Sequence, residues 1–375
     1  MPRRPEPSKW LCRGLGNPRC LPEWSEARWS GVIAAGRETA LLGALWEQAR
    51  RAGVAERLPP SVVRHLRGAG WAAETQAEAL RWELRQLEEG VLQGLSPPVA
   101  LKGAAYLIAG LPHAAGRVCH DIDLLFPRDS VERAEQLLFF EGWQSGHHSE
   151  YDDRYYREWM HELPPLVHGR RGTTLDLHYN ILPETFAVRV DPRRLFDRTE
   201  PVSGWRTRIL APPHLVLHAV AHLLAETEWE GALRNLYDIH ALLVHFEAEV
   251  GAPFWADLLE ESRELGLARL LEAALVAVQD WFATPVPPSV NTAMAAHRPA
   301  WPYRSAWRRL LRTGLRTRAD SVPGRRAVAG WLLFLRGHWL KMPPLLLLRH
   351  LLYKARQARA ETHLPPPVPD AENHG

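Results

Sequence analysis

Cysteine, long apolar runs and lysine are all scarce in this 375-residue chain. The 3 cysteines, Cys12, Cys20 and Cys119, are odd in number and scattered, which excludes a disulfide framework and a cysteine-based zinc site. No run of about 18 apolar residues occurs, so no segment is predicted to span a membrane. Residues 1–23 lack the apolar core of a secretory signal. These absences predict a cytoplasmic protein in a reducing compartment.

Strong net charge is also absent, since the formal net charge is only +3. This value gives no strong signal for binding nucleic acid. Apolar residues make up 46% and charged residues 24% of the chain, which is ordinary for a globular protein and excludes disorder, collagen and coiled coil. Arginine supplies most of the positive charge. Because lysine and arginine bind anions differently, each lysine in this arginine-rich chain is a candidate for a specific role. The lysines are Lys9, Lys102, Lys341 and Lys354.

Changes in composition divide the chain into six predicted units. Proline-rich ends are typical of flexible tails, and proline pairs mark joints between folded units. The units are a flexible tail (1–25), an N-terminal helical segment (26–95), an α/β core (96–200), a helical domain (201–285), a basic, tryptophan-rich helical region (286–360) and a second flexible tail (361–375).

The N-terminal helical segment contains one clear helix signal. Thr75 and Glu78 have the spacing of a capping box, so a helix is predicted to begin there. Apolar residues such as Leu80 and Leu84 then recur on one helical face. Pro97 and its neighbours are predicted to end the segment.

A small α/β unit is predicted next. Strands are predicted over 99–102, 121–126 and 173–181, where β-prone residues partly alternate with polar ones. Helices are predicted over 103–110 and 129–142. After Pro212-Pro213 the apolar residues recur at helical spacing, and the predicted helices are 214–224, 231–245, 254–265 and 267–282.

Three carboxylates form the main candidate site. Asp121 and Asp123 lie two apart on a predicted strand, so their side chains point to the same face. Because unpartnered like charges are costly to bury, a divalent cation such as Mg²⁺ is a favourable partner. Asp176, mid-strand between apolar neighbours, is the third, and three carboxylates on two strands can hold two metal ions. The alternative is that these are edge-strand acids that face water, which an isolated Asp-X-Asp favours.

The order of the neighbouring elements favours a metal site over acids that only face water. A predicted strand ends at Lys102-Gly103, where a helix begins, and the Asp-Ile-Asp strand follows. Glycine at such a turn lets backbone N–H groups approach a phosphate, and the start of a helix favours anions. Lys102 is then placed to contact a triphosphate as a point charge.

The combined pattern resembles a known family. Its parts are Leu-Lys-Gly-Ala at 101–104, Arg117, Asp-Ile-Asp-Leu-Leu at 121–125, Glu-Gly-Trp at 141–143 and Leu-Asp-Leu-His at 175–178. The pattern is similar to the nucleotidyltransferase-like family, a poorly characterised bacterial family of the DNA polymerase β superfamily. The resemblance covers roughly residues 70 to 250, including Leu-Tyr-Asp-Ile at 236–239.

This resemblance implies an α+β fold with a small mixed sheet, flanked by N-terminal helices and a C-terminal helical domain. It implies Mg²⁺-dependent transfer of a nucleoside monophosphate from an NTP, with ATP as the expected donor and two Mg²⁺ ions, to an acceptor hydroxyl. The implied catalytic and metal-binding residues are Asp121, Asp123 and Asp176. Four residues are expected to bind the nucleotide, namely Lys102, Gly103, Arg117 and His178. For Arg117, pairing with a carboxylate is an equal alternative.

One residue departs from the superfamily pattern. The usual Gly-Ser is Gly103-Ala104 here, so the hydroxyl that helps to bind phosphate is missing. The alternative function is therefore a non-catalytic nucleotide-binding or scaffold protein that keeps the fold. The sequence leaves the acceptor open among an antibiotic, a sugar, a protein hydroxyl and a nucleic-acid end, and it does not give the oligomeric state.

Two further features each have a structural and a functional interpretation. His214, His218 and His222 recur on one helical face, and neutral side chains that line a cleft or interface are favoured over a zinc site. The basic, tryptophan-bearing stretch over 327–359 fits either a helix packed on the core or contact with a membrane surface. Packing on the core is favoured.

Overall fold

The computed structural model describes residues 6–146, 157, 159–225, 227, 229, 231–320 and 323–341. These residues form an α+β arrangement in which helices flank a single seven-stranded mixed sheet. The predicted fold class is confirmed. No helix in this part of the chain is long and apolar enough to cross a membrane.

Along the described chain, α-helices come before, between and after the strands of the sheet. Short 3₁₀ turns connect several of them. The helices are α1 (Pro7–Gly16), α2 (Glu26–Glu38), α3 (Leu42–Arg51), α4 (Pro60–Glu89), α5 (Lys102–Ile108), α6 (Arg128–Phe140), α7 (Pro192–Asp197), α8 (Pro212–Ala225), α9 (Ala232–Val250), α10 (Ala252–Glu264), α11 (Ala268–Phe282), α12 (Pro288–Met294), α13 (Tyr303–Gly314) and α14 (Pro323–Lys341).

The sheet has its longest strands at its centre. Its strands are β1 (Val99–Ala100), β2 (Asp121–Leu125), β3 (Trp143–Ser145), β4 (Leu166–His168), β5 (Thr174–His178), β6 (Thr199–Pro201) and β7 (Arg208–Leu210). They lie in the order β3-β4-β5-β2-β1-β7-β6. β2 and β5 are parallel neighbours, whereas β1 pairs with β2 in the antiparallel sense. The two strands predicted to carry the carboxylates are therefore adjacent.

Buried apolar residues explain why the central strands form. Ile122, Leu124, Leu175 and Leu177 are all completely buried, so both β2 and β5 turn alternate apolar side chains into the core. The residues between them face the opposite side of the sheet. Strand alternation thus places the acidic residues of both strands on one face, as the sequence predicts.

The N-terminal residues belong to the core, so the predicted flexible tail over 1–25 is wrong for Pro7–Glu23. α1 packs on α2 and α11, and Leu11, Cys12 and Leu15 are buried. Proline and arginine in the segment over 1–25 predict a tail, but the apolar residues of α1 recur at helical spacing. Their burial outweighs the weak local helix signal.

α4 begins well before the predicted start at Thr75. Pro60 occupies the first turn, a position that suits proline, and the helix continues without a break to Glu89. Its first half packs closely on α3, since a Cβ on Gly70 would lie only 2.5 Å from Cδ1 of Trp46. Gly70, although glycine lowers helix propensity, therefore marks a tight helix–helix contact here.

The predicted boundary at residue 200 cuts through the sheet. β7 pairs in parallel with β1, and β6 pairs with β7, so the sheet continues to Leu210. One hydrophobic core runs from Leu11 to Leu333. The other predicted boundaries remain predictions, and the tail over 361–375 lies outside the described residues.

The helical region after the sheet forms one wall of the molecule. α8 contacts α9, α10, α11 and α14, and it also packs on α5 and β7. In α14 the side chain of Leu333 is buried, which agrees with packing of this helix on the core. Trp331 and Trp339 on the same helix are exposed. α8 thus connects the helical wall to the sheet through β7 and to α5, the helix that begins at Lys102.

Candidate active site

The sheet brings Asp123 and Asp176 together. They are direct partners in the register of β2 and β5, and ligand atoms of Asp123, Asp176 and His178 lie within 4.8 Å of one another. Asp121 is two residues earlier on β2, opposite Thr174. It is not part of that close group, but it lines the same cavity as Asp176. The structure therefore brings the predicted triad to one face, with Asp123 and Asp176 as its tightest pair.

Asp123 is almost fully buried and is paired with positive charge. Lys102 Nζ donates to its Oδ1 over 2.6 Å, and His178 Nε2 lies 2.9 Å from the same oxygen. Burial alone would raise the pKa of Asp123, but Lys102 and His178 hold that pKa well below its ordinary value. Burial likewise opposes the charge on Lys102, yet Asp123 and Glu162 raise the pKa of the ammonium. Both groups are therefore charged at neutral pH.

Asp176 has the opposite electrostatic environment. Its Oδ1 is buried and has no hydrogen-bond partner among the described residues. Burial, followed by repulsion from Asp123, raises the pKa of Asp176 to about 7. The same two causes raise the pKa of Asp121. An unpartnered carboxylate beside an ionised one is costly unless a cation or a proton joins them.

A cavity of about 490 Å³ opens in front of these groups. Its walls come from the start of α5, from β2 and β5, from the segment before β4, and from α8, α9 and α14. The charged residues on these walls include Lys102, Asp121, Glu162, Asp176, Arg234 and Lys341. Both acidic and basic groups thus face one volume.

A sequence profile described as "uncharacterised nucleotidyltransferase" matches residues 25–283, which is more than half of the chain. The chain belongs to this family. The predicted family resemblance is thereby confirmed, and the family description suggests nucleotidyl transfer. Comparisons with curated proteins and with solved structures gave no significant match.

Lys102 is the residue of the family pattern with the least usual backbone. Its φ is +44°, a left-handed value that costs a non-glycine residue about 1 kcal/mol or more. The neighbouring Leu101 N–H donates to the carbonyl oxygen of Asp123 over 3.0 Å, which ties this turn to β2. The unfavourable backbone conformation coincides with the position at which Lys102 reaches Asp123.

Gly103 is required by close packing. A Cβ at this position would lie 2.4 Å from Cys119 Sγ and 2.5 Å from Arg117 Nη1. Gly103 also lines the cavity beside Lys102. Its predicted contact with phosphate remains a prediction, and the close approach of Arg117 and Cys119 gives an independent reason for glycine.

Arg117 forms the carboxylate pair that was one of its two predicted roles. Its Nε lies 3.1 Å from each carboxylate oxygen of Asp238, and Nη2 donates to Oδ2 over 2.9 Å. Nη1 lies 2.9 Å from Cys119 Sγ. Asp238 is on α9, so this bidentate pair fixes the loop before β2 to the helical wall. A contact between Arg117 and a nucleotide stays a prediction.

His178 lies behind the cavity rather than on its lining surface. Its side chain is 1% exposed and its Nε2 bonds to Asp123. This ring therefore supports the carboxylate directly, and its predicted contact with a nucleotide stays untested. Asp176 and His178 lie two apart on β5 and share one face of the strand, so ligand-type atoms of both come within 4.8 Å of Asp123.

The three helical histidines of α8 divide between two environments. His214 bonds through Nε2 to Glu261 of α10 over 2.8 Å, whereas His218 and His222 line the cavity. Burial lowers the pKa of both His214 and His218. This agrees with neutral side chains at an interface and a cleft, and no metal-binding group in the described part of the chain includes them.

Sequence reasoning missed Arg234 and Glu162. Arg234 lines the cavity, its Nε is buried without a hydrogen-bond partner, and burial lowers its pKa. It precedes Asp238 by one helical turn on α9, so the helical period could have placed it beside Arg117. Glu162 follows a segment without clear periodicity, and only the fold brings it to His178.

Proposed function

We propose that this protein transfers a nucleoside monophosphate from an Mg²⁺-bound NTP, with ATP as the expected donor, to an acceptor hydroxyl. The observation that carries the proposal is the Asp123–Asp176 pair on neighbouring parallel strands, with an unpartnered buried carboxylate oxygen at a cavity wall. Membership of a nucleotidyltransferase family supports the same chemistry.

The donor set fits Mg²⁺. This hard cation prefers carboxylate oxygens and keeps open positions for phosphate. Asp123 and Asp176 would hold the metal, and Asp121 on the same face would share a second ion. Asp176 Oδ1 supports this assignment because no donor in the described protein satisfies it. Bound there, Mg²⁺ supplies charge neutralisation at the phosphate and lowers the pKa of the acceptor hydroxyl.

Lys102 and Arg234 are the cations proposed to bind the triphosphate. An ammonium carries three donors, and one of them is directed to Asp123. Arg234 adds a buried Nε that has no acceptor in the described residues. The volume of about 490 Å³ lies within the usual range for small-molecule sites. These two side chains would hold the nucleotide without the hydroxyl that Ala104 lacks.

Asp176 is the proposed proton acceptor for the incoming hydroxyl. A general base must lie within hydrogen-bond reach of the proton that it accepts, and Asp176 has a second carboxylate oxygen, Oδ2, for this role while Oδ1 would hold the metal. Its position on the cavity wall allows an acceptor to approach. The remaining catalysis in phosphoryl transfer is mostly positioning and charge stabilisation.

The test is transfer of label from two forms of ATP. Purified protein, Mg²⁺ and a cell extract are incubated with ATP labelled at the α-phosphate or at the γ-phosphate. We expect label on an acceptor from the α-form only, and none with Asp176→Asn. Asp191→Asn is the matched control, because Asp191 only caps α7. Labelling from the γ-form alone would contradict nucleotidyl transfer and indicate a kinase.

One observation favours the second candidate, a nucleotide-binding protein without turnover. Lys102 already neutralises Asp123 at 2.6 Å, and Ala104 replaces the usual serine. In that case ATP binds, but Mg²⁺-dependent release of pyrophosphate does not occur in any extract. Measuring ATP binding and pyrophosphate release on the same preparation separates the two functions.

A further inference from the structure

A second cluster of ligand-type side chains lies beside the carboxylates. It consists of His161, Glu162 and His178, and we call it the His–Glu–His cluster. Glu162 and His178 form an isolated antiparallel bridge. Leu163 N–H donates to Leu177 O, and Tyr179 N–H donates to His161 O, each over 2.9 Å. The backbone therefore fixes the relative positions of all three side chains.

The three side chains converge. One ligand atom from each lies within 4.8 Å of the other two. His178 Nδ1 is 3.2 Å from Glu162 Oε2, and His161 Nε2 is 4.0 Å from the same oxygen. The set offers two imidazoles and one carboxylate, a combination typical of transition-metal sites.

The hydrogen bonding of His178 leaves its second ring nitrogen for this cluster. Nε2 lies 2.9 Å from Asp123 Oδ1 and donates to it. Nδ1 faces Glu162 Oε2 over 3.2 Å, and it makes no hydrogen bond although it is buried. A metal ion bound here would take the place of any proton on Nδ1 and join this nitrogen to the carboxylate oxygen.

His161 approaches the cluster with its Nε2, which lies 4.0 Å from Glu162 Oε2. Its other ring nitrogen, Nδ1, is buried and has no hydrogen-bond partner among the described residues. The carboxylate–histidine arrangement of Asp123 and His178 is also the usual support for a metal-binding imidazole, because it fixes the tautomer and the ring orientation. His161 and Glu162 line the cavity, so a metal held there keeps access to solvent or substrate.

We propose that the His–Glu–His cluster binds one Zn²⁺ ion, in addition to the Mg²⁺ proposed for the carboxylates. Zn²⁺ accepts imidazole nitrogen and carboxylate oxygen at tetrahedral sites, and three protein ligands leave one open position. Mg²⁺ prefers oxygen alone, so the two sites differ in the metal that they select. Asp123 connects them through its bond to His178.

The test is calorimetric titration of the full chain with Zn²⁺ in excess Mg²⁺ and without nucleotide. The wild type should bind one equivalent of Zn²⁺. His161→Ala and Glu162→Gln should each weaken Zn²⁺ binding by about 100-fold or more, since loss of a mere supporting residue already costs 10–100-fold. X-ray absorption should show nitrogen ligands at about 2.0–2.1 Å. None of these readouts needs turnover, so they can fail independently of the nucleotidyltransferase proposal.

His120→Ala is the matched control, because His120 lines the same cavity but lies outside the cluster. It should bind Zn²⁺ as the wild type does. Wild-type affinity in a folded His161→Ala or Glu162→Gln chain would overturn the proposal, and the second variant decides if the first does not fold. Absence of Zn²⁺ binding would also overturn it. So would loss of Zn²⁺ binding in Asp176→Asn together with its retention in His161→Ala, because the metal would then lie on the carboxylates.

Discussion

Two of the buried carboxylates, in different parts of the molecule, have contrasting environments. Asp320, beside the N-terminal helix, and Asp123, in the central sheet, are each 1% exposed. Asp320 is surrounded by neutral donors from Ser8 and Thr317. Asp123 is surrounded by charges, one of which is a second carboxylate.

The Asp320 cluster is saturated with hydrogen bonds. Ser8 N–H donates to Oδ1 over 3.1 Å, and Thr317 N–H donates to Oδ2 over 2.9 Å. The Ser8 hydroxyl adds a further bond to Oδ2. These contacts join α1 to the segment before α14, across 312 residues of sequence. A buried charge that is satisfied in this way stabilises the fold.

The carboxylate cluster of the sheet is not saturated. Asp176 Oδ1 has no partner in the described protein, and burial together with repulsion from Asp123 raises the pKa of Asp176 to about 7. Structural polar networks satisfy their members, whereas catalytic sites keep groups in reserve for a ligand. The difference agrees with a folding role for Asp320 and with the role in binding and catalysis that we propose for Asp176.

The largest expected effect is that of Asp176→Asn on turnover. We expect turnover to fall by about 10³-fold, because Asp176 would hold the catalytic ion. Mg²⁺–ATP affinity should change little, because Asp121 and Asp123 remain to hold the ion that binds the nucleotide. Turnover and ATP binding are measured separately, with Asp191→Asn as control. An equal loss in both quantities would show that Asp176 acts mainly in ground-state binding.

For Asp320→Ala we expect a loss of stability without a loss of turnover. This change leaves the N–H groups of Ser8 and Thr317 buried without an acceptor, which costs about 2–4 kcal/mol of unfolding free energy. Turnover per folded molecule should be unchanged. Chemical denaturation and the labelling assay check the two parts. A stable variant without activity would contradict the division between the two clusters.

Substitutions of Lys102 test the role of this lysine, the charged partner of Asp123, in binding ATP. Lys102→Ala should weaken ATP binding by about 10- to 30-fold, the size of a charged hydrogen bond, and Lys102→Arg should weaken it less. Equilibrium binding of labelled ATP measures both. If both variants bind ATP as the wild type does, Lys102 serves only to neutralise Asp123.

A smaller effect concerns pH and Mg²⁺ binding without nucleotide. Because the pKa of Asp176 is raised to about 7, its carboxyl is protonated below that pH and must lose a proton to bind metal. Mg²⁺ affinity should therefore rise by about tenfold from pH 6 to pH 8 and level off above it. Asp176→Asn should remove this dependence. A flat profile in the wild type would contradict the raised pKa.

The central elements were predictable because their patterns are local. The strand at 121–126 and the helices over 214–282 correspond to β2 and to α8–α11. β3, β4, β6 and β7 have only 3 residues each and were not predicted, since so short a run has no measurable alternation. The early start of α4 was missed because Gly70 suits a tight contact that only the tertiary structure reveals.

The site was partly predictable for the same reason. Two carboxylates two apart on β2, and one on β5, follow from strand alternation. Their partners come from distant parts of the chain. Glu162 reaches the site through the bridge to β5, and Arg234 and Asp238 reach it through α9. Of these relations, only the helical spacing of Arg234 and Asp238 is visible in the local sequence.

The most direct test of the account is Mg²⁺ binding by Asp121→Asn/Asp123→Asn, measured by calorimetry at pH 8 without nucleotide. Circular dichroism first establishes that the double variant keeps its fold, and Ser8→Ala, in the saturated cluster, is the control. We expect no heat of Mg²⁺ binding from the double variant, while Ser8→Ala should bind Mg²⁺ as the wild type does. Unchanged Mg²⁺ affinity in the folded double variant would contradict a metal site on this face of the sheet.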